Sequence, residues 1–125
     1  ELRKDAEETE RWNLIHPNKT QRKSHIEKSL SKHKVPTVAV SDYVKMLSEQ
    51  IAPYVPGPFY SLGTDGFGRS DTRENLRHFF EIDRYYITLT ALRALADEGV
   101  IKMNIAGQAI KKYNIDPEKP SPTTV

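Results

Sequence analysis

The chain has 125 residues, of which 37% are hydrophobic and 29% charged, and its formal net charge is +2. That is enough for one domain with a modest core and too little positive charge to argue for nucleic acid. Cysteine is absent, which excludes a disulfide framework and a thiolate metal site. No apolar run approaches the roughly 20 residues of a membrane span, and no signal-peptide pattern is present. A cytoplasmic protein without a membrane partner is expected.

The chain opens at Glu1, and Glu1–Glu8 already reads as helix interior. A fragment is expected, either a natural cleavage product or a cloned piece of a longer chain. Residues 1 to about 15 read as a helix with Leu2, Ala6 and Thr9 near one face and Leu14 at its margin. Pro17 disfavours helix at His16. Trp12, the single tryptophan, is expected to pack against the next element rather than to stack on a ligand. Residues 18–34 are polar and basic, with a short helix over 22–31 suggested by Ile26 and Leu30. No aromatic residue interleaves these lysines, so a solvated face is the reading. His25 and His33 have no carboxylate arranged to complete a metal site with them.

Residues 35–40 are short, β-branched and mostly apolar, as a buried parallel strand would be. Ser41 is expected to cap a helix from Asp42 to about Ile51. Its apolar stripe of Tyr43, Val44, Met46, Leu47 and Ile51 reads as core. Pro53, Pro56, Gly57 and Pro58 end it. Phe59 to Thr64 reads as a second strand.

Behind that strand lies the most informative stretch, Gly63, Thr64, Asp65, Gly66, Phe67, Gly68, Arg69, Ser70 and Asp71. Strand, glycine loop and helix start form the arrangement by which α/β proteins place function at the carboxyl end of a strand. Gly66 and Gly68 can take positive φ without a Cβ penalty, and Asp71 with Glu74 fits a capping box. Two readings stand side by side. Bare amides and Arg69 at a helix N-terminus could bind an anion or a partner carboxylate. Alternatively the glycines only make the turn, and Arg69 pairs with Asp65 or Asp71. No Walker lysine follows, and the glycine spacing is not the dinucleotide fingerprint.

A helix over 72–82 turns Leu76, Phe79 and Phe80 inward, with His78 read as a satisfied structural histidine in preference to an interface residue. Asp83 caps a helix from about Arg84 to Glu98, whose Tyr86, Ile87, Thr90, Leu92, Ala94 and Leu95 make a broad apolar surface; Gly99 stops it. A last helix spans Ile101 to Tyr113 with Ile105, Ala109 and Ile110 inward and Asn114 as terminator. A proline-rich tail over 114–125 completes a single partial domain over 1–125. Two parallel strands alone make a poor sheet, a second sign that something upstream is missing.

Several stretches carry a family resemblance. They are Glu10-Arg11-Trp12-Asn13 with His16-Pro17, Ser41-Asp42-Tyr43, and Glu49-Gln50-Ile51. With them stand Leu62 through Arg77, Phe80-Glu81-Ile82-Asp83, and the ending Ala109 through Pro120. Together they resemble the C-terminal end of the homodimeric bacterial pyruvate dehydrogenases, the decarboxylating first component of the pyruvate dehydrogenase complex.

The resemblance implies an α/β fold, part of a transketolase C-terminal-like three-layer domain. Its mostly parallel sheet would carry helices on both faces, with the first strands missing from this chain. It implies a parent enzyme that uses thiamine diphosphate and magnesium, decarboxylates pyruvate, and passes the acetyl group to the lipoyl arm of the acetyltransferase component. Those cofactors belong to other domains of the family, so no catalytic, cofactor or metal residue is carried over. The expected partners are the rest of the parent chain, its homodimer mate and the acetyltransferase component. This part would supply dimer contacts, shape the active-site approach and be inactive alone. An exposed strand edge would favour self-association or exchange of elements between copies.

The alternatives are a stand-alone interaction module, or an anion-binding module for a small phosphorylated effector, either using the loop from Gly66 to Asp71.

Overall fold

A computed structural model describes residues 1–32 and 34–125. In chain order the elements are α1 (Leu2–Ile15), α2 (His25–Leu30), β1 (Thr37–Val40), α3 (Lys45–Glu49), a single 3-10 turn (Ala52–Tyr54), β2 (Phe59–Leu62), α4 (Arg73–Phe79), α5 (Arg84–Asp97) and α6 (Met103–Lys112). The fold is α/β, helices with a small parallel sheet. β1 and β2 pair in parallel, with Thr37 opposite Phe59 and Val40 opposite Leu62.

The strands are shorter than residues 35–40 and 59–64 suggest, for identifiable reasons. Pro36 has no N–H to give the ladder, so pairing begins with Thr37 N–H donating to Pro58 C=O at 2.9 Å. At the other end Thr64 turns out of the sheet, and its amide donates to Tyr43 C=O at 2.9 Å.

α1 carries its only buried side chain at Ala6. Leu14 points outward instead of joining that face. Asp5 accepts from the His25 amide at 2.7 Å. Asn13 exchanges two hydrogen bonds with the Arg22 backbone, at 2.9 and 2.8 Å. The Trp12 ring stacks on His16 at 4.3 Å and lies under the Arg22 guanidinium at 3.8 Å, both in the connection between α1 and α2 rather than in α2 itself. α2 starts with a full capping box, Ser24 receiving the Glu27 amide while Glu27 receives that of Ser24. His33 lies outside the described residues, so the expectation made of it with His25 has no counterpart here.

α3 departs most from the sequence reading. Ser41 does not cap it; the Ser41 amide continues the ladder to Leu62 C=O at 3.1 Å, and its hydroxyl accepts from the Tyr43 amide at 3.0 Å. Helix therefore begins three residues after Asp42, at Lys45, and Pro53 sits inside the following 3-10 turn without breaking it. Most of the stripe read as core is exposed: Tyr43 and Met46 are each 69% accessible, Val44 and Leu47 are exposed beside them, and Ile51 alone is half-buried.

The core is made by Ala6, Ile26, Val55, Ile82, Tyr86, Ala94, Ala106, Ala109 and Ile115. α5 packs on β1 and on α6, α3 packs on β2, and α1 on α2. In α6 the inward residues are Ala106 and Ala109, while Ile105 faces out. Two alanines let α6 approach α5 closely, and the bulkier Ile105 falls on the next face of the turn.

Candidate functional site

Both strands end on the same side, and the segment after each meets the other there. Gly63 lies directly under residues 43–45: a Cβ on it would stand 2.5 Å from Tyr43 C=O and 2.7 Å from Lys45 N. The next two residues fasten the loop to that turn. Thr64 Oγ1 donates to Asp42 C=O at 2.9 Å, and Asp65 Oδ2 accepts from the Lys45 amide at 3.0 Å. Val44 occupies the N-cap of α3 and has no side-chain acceptor. Asp65 supplies one from across the turn and places its negative charge at the helix N-terminus.

Gly66 takes φ +116°, a conformation open chiefly to glycine. Phe67 is 76% exposed, and a Cβ on Gly68 would meet nothing within 4 Å. Arg69 pairs with neither Asp65 nor Asp71; its guanidinium lies 4.0 Å from the centroid of the Phe79 ring. Ser70 is exposed. Asp71 does not form the capping box with Glu74. Thr72 is the N-cap of α4 and receives the Asn75 amide, while Asp71 Oδ1 accepts from the Thr72 amide at 2.7 Å and from Asn75 Nδ2 at 2.9 Å. Those hydrogen bonds, Asn75 first, hold the Asp71 carboxyl below its ordinary value of 3.8. Thus Gly63, Thr64, Asp65 and Asp71 build the elbow, and Phe67, Gly68 and Ser70 are presented outward.

Two open clefts flank α4. One, of about 1210 Å³, is bordered by Val40, Asp42, Arg73, Arg77, His78 and Lys119. The other, of about 700 Å³, takes in Thr64, Phe67, Arg69, Leu76 and Phe80. Three titratable groups of the larger cleft, His78, Asp83 and Lys119, are committed to structure. Asp83 caps α5 through the Tyr85 and Tyr86 amides at 3.1 and 3.0 Å, and its other oxygen meets His78 Nδ1 at 3.0 Å. His78 is therefore the satisfied structural histidine that its neighbourhood suggests. Lys119 was unreadable as a site residue from its proline-rich surroundings. Its Nζ nevertheless donates to Phe79 C=O at 3.0 Å and to Glu81 Oε1 at 3.2 Å. No local pattern marks it, because its partners lie about forty positions away in sequence.

Residues 11–83 match the family described as the transketolase-like TK C-terminal domain. Three curated relatives, each named pyruvate dehydrogenase E1 component, are similar over nearly the whole chain. That of Cupriavidus necator is 57% identical over 125 residues, all of this chain. That of Pseudomonas aeruginosa is 50% identical, and that of Escherichia coli K12 47% identical, each over 98% of this chain. The chain spans 14% of the length of each.

Proposed function

The chain belongs to the transketolase-like TK C-terminal domain family, and from that premise we propose that it is the C-terminal part of a pyruvate dehydrogenase first component. The parent would decarboxylate pyruvate and reductively acetylate the lipoyl group of the acetyltransferase component, as a homodimer in the cytoplasm. The observation that carries this reading is the 57% identity over all 125 residues to a relative named for that component. The full-length protein bearing this chain is expected to acetylate a lipoyl domain in a pyruvate-dependent way. A full-length protein that leaves pyruvate unchanged would overturn the assignment.

Thiamine diphosphate and magnesium would be held by other parts of the parent. Among the described residues no three of His, Cys, Asp and Glu gather closely enough to hold a metal ion.

The contribution of this domain is structural: it offers contacts to the rest of the enzyme and shapes the approach to its centre. The supporting feature is five exposed apolar side chains, Tyr43, Val44, Met46, Leu47 and Phe67, on the segments that leave the strand ends. Solvent exposure of such side chains is unfavourable, and their burial would drive association. Replacing Met46 and Leu47 together by glutamate should leave the helix content of the parent unchanged and weaken its dimer in sedimentation. An unaltered dimer would remove this surface from the interface.

A further inference from the structure

The proline-rich segment after α6 is part of the fold. α6 ends at Lys112; two residues on, Asn114 takes φ +53°, and Ile115 is buried beyond it. The chain then turns, with the Lys119 amide donating to Asp116 C=O at 3.2 Å and the Glu118 amide to Asp116 Oδ1 at 2.9 Å. This turn delivers the Lys119 side chain, only 17% exposed, to the carboxyl end of α4. There it takes the free Phe79 carbonyl and the Glu81 carboxylate, a favourable place for a cation. Three residues on, Pro122 is buried. A Cβ on Gly66 would overlap the Pro122 carbonyl oxygen and stand 3.0 Å from its carbon. The segment closes on itself past that contact, the Thr124 amide and hydroxyl both donating to Ser121 C=O at 2.9 and 2.8 Å.

Loop and tail also share an aromatic ring: Arg69 lies 4.0 Å and Lys119 Nζ 5.3 Å from the Phe79 centroid. We propose that residues 116–125 are a strap that locks the glycine loop against α4. It is anchored by Lys119 at one end and by Pro122 seated on Gly66 at the other. Glycine is required at position 66 twice over, by its backbone angle and by the strap lying where a side chain would begin. With the strap seated, the loop that presents Phe67 is held in one position; with it lifted, the loop is released.

The test is limited trypsin digestion of the full-length protein carrying this chain, following cleavage after Arg69 by mass spectrometry. Replacing residues 120–124 by a glycine-serine linker of equal length should raise that cleavage about tenfold, the loss of one or two anchoring contacts. Cleavage after Arg93, inside α5, should not change. Lys119→Met, a milder change that keeps the chain path, should act in the same direction. Gly66→Ala should raise cleavage more in the parent than in the linker variant, where the overlap with the strap is gone and only the cost of the backbone angle remains. Unchanged cleavage after Arg69 in Lys119→Met, or a Gly66→Ala effect of equal size in both backgrounds, would overturn the proposal.

Discussion

Gly63 is needed for space rather than for backbone angle: the backbone of residues 43–45 occupies the place of its Cβ. Gly63→Ala must push two chain segments apart and is expected to destabilise the protein by about 2 kcal/mol or more, read as a lower denaturation midpoint. Asp71 is exposed, and its hydrogen bonds from Asn75 and Thr72 favour the ionised form. Its contribution is fully present above pH 3.8 and is lost as the pH falls through the lower folded value. A carboxyl-resolved titration should give a midpoint below 3.8, returning toward 3.8 in Asn75→Ala. Tyr86 behaves in the opposite sense. Burial, helped by the charges of Glu81, Asp83 and Asp116, pushes its hydroxyl up to about 12. The neutral ring favours folding, so its contribution is intact below pH 10 and declines as the pH rises toward 12. Tyr86→Phe should shift alkaline unfolding to higher pH and leave neutral stability nearly unchanged. The residues of the elbow were legible as a group, but the partners of Gly63 and Gly66 were not, since each packs on a distant segment.

At the scale of elements, α4, α5 and α6 end in the same way. The residue two beyond the last helical one takes a left-handed conformation, and the next amide bonds to the carbonyl five residues back. Ile82 donates to Arg77 C=O at 2.9 Å, Val100 to Leu95 at 3.0 Å and Ile115 to Ile110 at 3.0 Å. Gly99 and Asn114 announce two of these ends, because both residue types tolerate positive φ. Glu81, at φ +61°, announces nothing. Its conformation is held by the buried Ile82 that follows and by Lys119, which explains why α4 stops at Phe79 and not at Ile82. Helix starts show the same division. Asp83 caps α5 as its position suggests, whereas α3 borrows its acceptor from Asp65, twenty residues away. Ser24 caps α2 while only 2% exposed. Ser24→Ala should cost about 1 kcal/mol, measured as a fall in Tm, with most of the effect in α2 protection from hydrogen exchange.

For the whole molecule, the balance of buried and exposed apolar side chains decides behaviour. The core relies on alanines and a few larger residues, while Leu14, Tyr43, Met46, Phe67 and Val100 remain well exposed. Among the described residues each strand has a single strand partner, the other. Unpaired strand edges and exposed apolar faces both favour further contacts. Light scattering of the isolated 125 residues should show association that grows with concentration. A monomer at every concentration would show that the elements described cover their own edges.

The sequence by itself determined the α/β alternation, the position of every helix to within a few residues, and the glycine elbow at the carboxyl end of β2. These follow from local causes: period, β-branching, and glycine, proline or acidic residues at turns. Tertiary structure alone decided which apolar stripe is core, where α3 begins, and what the last ten residues do. The stripe of α3 has the spacing of a buried face, but spacing cannot say whether a partner surface exists. Likewise residues 114–125 read only as a proline-rich tail until Lys119 reaches α4 and Pro122 settles on Gly66. Those contacts join residues about forty to sixty positions apart, and only the folded chain brings them together.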